Sequence, residues 1–324
     1  MSTMHAWVRH DYGGPDRLER AVLPVPAPAA GEVLVRVTAS AVNSADLHLL
    51  RGEPRVVRLA FGARRPRAAQ LGRDCAGVVE AVGPGVDPSL VGTLVHGEAD
   101  AAWAEYAVLP ADVVVPVPDA LDETTAAAVP LAGVTAVQAM RRLGDVSGRR
   151  MLVTGASGCV GLYVVQLARA AGAHVTAVAS ARRADLVRSA GAEHVVDRHD
   201  PADDPGDEFG AIVDVMAVRP LSEVLPRLAA DGVYLSVGGD GTPVLGPLPR
   251  IAGLAARGPF TRRRLRSLAA RRSGADLADL DARIDRGEVR PMIDRVVDFA
   301  DVPDALRAFE AGEANGRLLI RIAA

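Results

Sequence analysis

Apolar positions recur along the chain in two ways. From about residue 5 to residue 118 they form short alternating runs broken by Gly and Pro, as in GEVLVRVTASAVN, CAGVVEAVGPGV, AEYAVLP and DVVVPVP. That is the period-two pattern of half-buried strands. Pro110, Pro116 and Pro118 then punctuate the chain. The stretch DALDETTAAAVPLAGVTAVQAMRRLG follows, with helix-starting Asp and Thr ahead of small apolar residues, and a new domain is expected to open there. Between 151 and 237 apolar strands alternate with helical stretches: MLVTG, LYVVQLARAAG, HVTAVAS, RADLVRSAG, HVV, AIVDVM, PLSEVLPRLAADG and VYLSVGG. Repeated β-α-β units predict a parallel sheet. RRRLRSLAARRSG reads as a polar, mobile connection. The end, VDFADVPDALRAFEAGEANGRLLIRI, reads as strand, helix, strand, with the final strand returning to the first domain.

Composition narrows the class. The 324 residues are 49% hydrophobic but only 3% aromatic, so the core is aliphatic and an α/β protein is favoured. The net charge is −3 and all 37 basic residues are arginine, spread along the chain, so nucleic acid is not an implied partner. Cys75 and Cys159 lack CxxC spacing and give neither a disulfide framework nor a metal knuckle. No signal-peptide core and no membrane-length apolar run is present. A soluble, unprocessed, cytoplasmic protein with no membrane partner is expected.

The chemistry begins at LVTGASGCVG. A glycine turn between a strand and a helix lets backbone amides approach a pyrophosphate, while the helix N-terminus supplies positive potential. The turn here is Gly155, Ala156, Ser157, Gly158, Cys159, Val160 and Gly161; its alternative reading is a packing turn. An NAD-binding domain places an acid about 20 residues after such a turn, against the ribose 2′-hydroxyl. HVTAVAS ends instead in Ser180, Ala181, Arg182 and Arg183, a hydroxyl and two guanidiniums suited to a 2′-phosphate. NADPH is therefore expected as cofactor, against the alternative that these arginines start a solvated helix. TGASG also occurs in short-chain dehydrogenases, which need a tyrosine with a lysine four residues on. This chain has no lysine, and its turn follows a β-rich domain.

With GEVLVRVTASAVNSADLHLLRG, GRDCAGVVEAVGPGV, AWAEYAVLP, AAAVPLAGVTAVQAM, the glycine turn and DALRAFEAGEANGRLLI in that order, the chain resembles the medium-chain dehydrogenase/reductase superfamily, in its zinc-free, zeta-crystallin-like quinone oxidoreductase branch. The resemblance spans essentially the whole length. It implies a GroES-like β-rich catalytic domain (1–118 and 288–324) and a Rossmann NADPH-binding domain (119–287), and a homodimer. Aligned with zinc-dependent relatives, Asn43 stands at a cysteine ligand, Arg73 at a histidine and Asp74 at a glutamate. A guanidinium cannot ligate zinc, so no metal is expected; a rescue site of His48, Asp74 and Cys75 is the alternative.

Without a Lewis acid, hydride delivery to a quinone or to the C=C of an α,β-unsaturated carbonyl is the favoured chemistry. Asn43 and His48 are the candidate catalytic groups: Asn43 orients the nicotinamide ribose in the family, and both can support a developing oxyanion. His48 stands where relatives often carry a tyrosine proton donor, and an imidazolium can donate instead; a structural loop histidine is the competing reading. The resemblance also implies cofactor contacts from Thr135, in a loop before the first Rossmann strand, from Gly238 and Gly239, and from Arg317, where relatives carry lysine near the cofactor phosphates. Trp103 and Phe61 are candidate pocket walls, with packing the alternative. The basic segment 51–73, with Arg55, Arg58, Arg64, Arg65 and Arg67, reads as a lid for an acidic substrate or as a solvated loop. Two further functional readings stand beside the reductase: an enoyl reductase acting on a carrier-bound intermediate, and a non-catalytic NADPH-binding sensor.

Overall fold

A computed structural model describes residues 2–200, 202–238 and 242–322. The chain forms two compact units, one of Met1–Val134, Arg272–Gly287 and Pro291–Ala324, the other of Thr135–Arg271 with Glu288–Arg290.

The first unit is β-rich. It starts with β1 (Thr3–Val8), β2 (Glu19–Pro24), β3 (Glu32–Ala41), α1 (Ser44–Arg51), α2 (Arg58–Phe61), β4 (Asp74–Val82), β5 (Leu94–Glu98), β6 (Tyr106–Pro110) and β7 (Val114–Pro116). β1 and β2 make an antiparallel pair. The long strand β3 pairs with both β4 and β6. Its Val33, Val35 and Val37 enter one aliphatic cluster with Val79, Val95 and Leu109. The alternating pattern supplies one such side chain every second residue. A helix, α3 (Pro130–Leu143), contains the division between the two units.

The second unit carries β8 (Arg150–Thr154), α4 (Cys159–Ala170), β9 (His174–Ala179), α5 (Ala184–Ser189), β10 (His194–Asp197), β11 (Phe209–Asp214), α6 (Leu221–Val224), β12 (Leu228–Ser236), α7 (Leu248–Arg257) and β13 (Arg264–Ser267). Its strands run parallel in the order β10-β9-β8-β11-β12-β13. This is the doubly wound Rossmann arrangement, in which the order reverses at the first strand and ligands bind beyond the strands' C-terminal ends. Two local expectations change. The helix expected through PLSEVLPRLAADG stops at Val224, and β12 starts at Leu228, because Pro226 has no N–H to continue the ladder. RRRLRS is not a mobile connection: Arg264–Ser267 pairs with Val233–Ser236 as an edge strand, where charged side chains are tolerated.

The chain then returns to the first unit with α8 (Gly274–Asp285), β14 (Ile293–Asp298), α9 (Val302–Glu310) and β15 (Arg317–Arg321). β15 pairs antiparallel with β3, closing a seven-stranded sheet of order β14-β15-β3-β4-β5-β7, with β6 beside β3. The expected strand, helix, strand ending is present. The expected domain limits move, however, since residues 119–134 and 272–287 lie with the β-rich unit. Buried chemistry holds α8 there. His96 Nε2 meets Asp281 Oδ2 at 2.9 Å while its Nδ1 faces the Ala126 carbonyl at 3.1 Å. Arg272 pairs with Asp100 and Glu98, and Leu280 fills the space over Gly133. None of these long-range pairings has a periodic signature.

Among the described residues no helix is long and apolar enough to cross a membrane. Since His96 is fully buried, Asp281→Ala is expected to lower unfolding stability by about 3 kcal/mol, as for loss of one partner of a buried pair; urea titration measures it.

Candidate active and cofactor site

The first unit gathers a polar cluster at the start of α1. Asn43, which precedes that helix, is 1% exposed. Its Nδ2 donates to Asp74 Oδ2 at 2.9 Å and to Asp46 Oδ2 at 3.3 Å, and its Oδ1 accepts from Arg317 Nη1 at 2.8 Å. Asp46 Oδ2 also accepts from the Asn43 backbone N–H at 2.9 Å, fixing the first turn of the helix. Asp74 is wholly buried; it forms an ion pair with Arg317 and accepts from Leu131 N at 2.7 Å, at the N-terminus of α3. A carboxylate there complements the helix dipole.

This arrangement revises several expectations. Arg317 is 1% exposed and its guanidinium serves Asp74, Asn43 and the Val42 carbonyl, so it is an internal cation instead of a phosphate contact. The Asn43 amide is fully engaged and has no N–H left for an oxyanion. Arg73 pairs with Glu98, and with Asp100 at 2.7 Å. At the three positions compared with zinc ligands the chain thus offers an engaged amide, a guanidinium and an ion-paired carboxylate, a donor set that does not fit zinc. The rescue site fits no better, because Asp74 is already held by Arg317, Asn43 and the Leu131 amide. No group of three or more metal-ligating side chains occurs among the described residues. His48 lies on α1, half-buried. Trp103 is fully buried and packs in the core, so it walls no open pocket, whereas Phe61 is 45% exposed.

The basic segment is folded against its own unit. Guanidiniums of Arg9 and Arg58 lie over the Tyr12 ring, 5.3 and 4.5 Å from its centroid, and Tyr12 Oη donates to the Gly62 carbonyl at 2.7 Å. Arg58 also holds the Gly52 and Arg51 carbonyls, Arg51 pairs with Glu310, and Arg65 pairs with Asp11. Arg55, Arg64, Arg65 and Arg67 are exposed, as the solvated reading expects, while Arg51 and Arg58 tie the segment down.

In the second unit the glycine turn leaves β8 with Gly155 at φ +65°, a conformation side chains disfavour. Gly161 allows the closest approach: a Cβ there would meet the Gly155 carbonyl oxygen at 2.3 Å. Beyond the turn a cavity of about 330 Å³ opens at the C-terminal ends of β8, β9, β10 and β11, lined among others by Gly155, Ser157, Ala179, Arg198, Asp214 and Met216. Ser180 starts the turn after β9, and Arg183 Nη1 reaches Ser157 Oγ at 3.5 Å, while Arg182 is exposed. The sequence reading missed Arg198 and His199, which line the cavity after β10; two basic residues following a strand end were the available signal. Asp214, at the end of β11, was also missed, and only the fold places it at the cavity. Thr135 lies within helix α3, not in a loop, and is buried. Gly238 follows β12, and its carbonyl accepts from Ser236 Oγ at 3.4 Å. Gly239 lies outside the described residues. The turn, with its glycine cradle and basic rim, fits a dinucleotide phosphate.

Comparison with known proteins supports the class that fold and site define, a two-domain oxidoreductase with a nicotinamide cofactor. Residues 29–119 match the alcohol dehydrogenase GroES-like domain, and residues 190–320 match a family described as zinc-binding dehydrogenase. A chloroplast envelope quinone oxidoreductase homolog of Arabidopsis thaliana is 30% identical over 98% of each chain. A mycocerosic acid synthase-like polyketide synthase of Mycobacterium tuberculosis is 39% identical over 56% of this chain, within 8% of its own length. A mycobacterial protein solved in complex with NADPH superposes with a TM-score of 0.81 at 26% identity, covering 98% of this chain and all of that one. The chain belongs to the quinone oxidoreductase branch of the medium-chain dehydrogenase/reductase superfamily.

One titratable group in the cluster stands out. Burial first, and Asp74 second, push the Asp46 carboxyl up to about 7, against hydrogen bonds from Asn43 and the charge of Arg73. The folded chain therefore keeps a proton that the unfolded chain has released. This stabilisation is complete below about pH 4 and is lost as pH rises through about 7. Asp46→Asn, which mimics the protonated form, is expected to match the parent near pH 5 and to melt a few °C higher at pH 8; thermal midpoints across that range check it.

Proposed function

We propose that the protein is an NADPH-dependent, zinc-independent reductase that delivers hydride to a quinone or to the C=C of an α,β-unsaturated carbonyl. The observation that carries the cofactor choice is the run that follows β9, whose Arg183 reaches Ser157 of the glycine turn. Ser180, Arg182 and Arg183 follow β9 where an acid would receive a ribose hydroxyl, and Arg198 follows β10 on the same side. Guanidiniums match a phosphate dianion in charge and in fork geometry. Bound NADPH would supply the hydride. The turn from Gly155 to Gly161, with Ala156, Ser157, Gly158, Cys159 and Val160, would hold its pyrophosphate, and Thr135 and Gly238 would contact its nicotinamide half.

Asn43 acts as a positioning residue, because its side chain is committed to Asp46, Asp74 and Arg317 and thereby fixes α1. His48, one turn along that helix, is the group assigned to proton donation or oxyanion support. Chemistry of this kind needs an acceptor that carries its own electron sink, which a quinone or enone does. By family analogy the protein would act as a homodimer, and free Cys75 and Cys159 would suit a reducing cytoplasm. The polyketide synthase likeness favours one second reading, reduction of a carrier-bound enoyl chain. Comparing free enones with acyl-carrier thioesters as substrates separates the two.

Arg182→Ala with Arg183→Ala is expected to raise KM for NADPH at least about tenfold while changing KM for NADH little, as for lost charge-assisted hydrogen bonds. Equal KM values for the two cofactors in the parent protein would overturn the NADPH assignment. His48→Ala is expected to lower kcat about a hundredfold with a quinone or enone acceptor, read from NADPH absorbance; an unchanged kcat removes His48 from the chemistry.

A further inference from the structure

The far wall of the nucleotide cavity is built by the loop that follows β11, and that loop is held by a closed hydrogen-bond network. Asp214, 2% exposed, lies at its centre. Its Oδ1 accepts from Thr154 Oγ1 and from Ala217 N at 2.9 Å; its Oδ2 accepts from Tyr234 Oη at 2.7 Å and from Arg250 Nη2. Four donors satisfy a carboxylate. Arg250, on α7, is used just as completely. Its Nε and Nη2 donate to Tyr234 Oη at 2.8 and 2.6 Å, Nη2 also reaches Asp214, and Nη1 donates to the carbonyls of Ala217 and Arg219 at 3.0 and 2.9 Å. All five guanidinium N–H groups therefore have acceptors.

The two backbone carbonyls bear on function. Ala217 has φ +50°, a left-handed conformation unfavourable for a residue with a Cβ. Both its N–H and its carbonyl are tied into the network, through Asp214 and Arg250. Beside it, Met216 and Val218 line the cavity, and Met216 lies where a Cβ on Gly155 would be, 2.5 Å from its Cγ. The loop is thus pressed toward the glycine turn in a conformation it would not adopt unaided. Thr154, one residue before that turn, is tied to the same carboxylate.

We propose that Arg250 is a positioning residue for cofactor binding: from outside the cavity it holds the loop 215–219 against the glycine turn and so sets the width of the nucleotide slot. The inference rests on the nucleotide reading of that cavity given above. It adds a residue that no glycine motif or strand-end pattern marks, on a helix that contributes nothing else to the cavity lining.

The test uses the whole protein and three variants, Arg250→Met, Arg250→Lys, and Arg250→Met combined with Ala217→Gly. Kd for NADPH is measured by calorimetry, and KM and kcat with a quinone acceptor. Arg250→Met is expected to raise Kd and KM for NADPH about tenfold, with kcat at saturating NADPH within about twofold of the parent and KM for the acceptor unchanged. Lysine keeps the charge beside Asp214 but lacks the fork that spans two carbonyls, so Arg250→Lys is expected to fall between, at about threefold. Adding Ala217→Gly relieves the left-handed strain and is expected to recover part of the affinity lost in Arg250→Met. A merely structural arginine predicts no such recovery. If Arg250→Met does not fold, the Lys variant carries the test by its Kd alone. A parent-like Kd in a folded Met or Lys variant overturns the proposal, as does a fall in kcat at unchanged KM for NADPH. Binding of NADH alone by the parent overturns the NADPH assignment, and the same variants then decide Arg250 by Kd for NADH, a rise of about tenfold supporting it and a parent-like value overturning it; binding of neither cofactor overturns both.

Discussion

A carboxylate taken out of water must have its lone pairs met by donors in the protein, and that demand organises each half of this molecule. In the β-rich unit the carboxylate is Asp74, fully buried, which draws Asn43 from the start of α1, Arg317 from β15 and the Leu131 amide from the start of α3. In the Rossmann unit it is Asp214, which draws Thr154, Ala217, Tyr234 and Arg250. Buried ion pairs of this kind contribute little net stability against an apolar replacement, and are damaging when half removed. Here their effect is geometric: each joins segments far apart in sequence.

The same demand accounts for what stands at the positions aligned with metal ligands in zinc-dependent relatives. Positions that correspond to metal ligands are occupied by groups that satisfy one another. Arg317 neutralises Asp74, Asn43 bridges the two, and Arg73 is held by Glu98 and Asp100. A cation at Asp74 would have to displace a guanidinium already in place. The neighbouring Asp46 shows the other consequence of burial: with its site dominated by desolvation and by a second carboxylate, it holds its proton to about pH 7.

Electrostatics on the Rossmann side has the opposite sign and a different purpose. Asp214, the buried acid at the cavity, is saturated from within, whereas Arg198, Arg219 and Arg227 contribute basic groups to the lining and Arg183, after β9, reaches Ser157 of that lining. Backbone amides of the glycine turn and the start of α4 add to that positive potential. A polyanionic dinucleotide is the ligand such a lining suits.

What the chain alone determined was whatever follows from local period and local chemistry. Alternation through GEVLVRVTASA, the β-α-β succession from 151 to 237, the glycine turn and the basic pair in place of an acid were all readable, because each depends on neighbours within a few residues. The places where the reading changed are those set by contacts across the chain. RRRLRS became an edge strand because β12 offered it a partner, α8 joined the β-rich unit through Asp281 and His96, and Arg317 turned inward to a carboxylate 243 residues away. Arg250 carries no motif at all; only packing brings it to Ala217 and Asp214. Local sequence specifies backbone periodicity and the chemistry of single turns, but the partner of a buried charge is chosen by desolvation in the folded state, and that choice exists only in three dimensions.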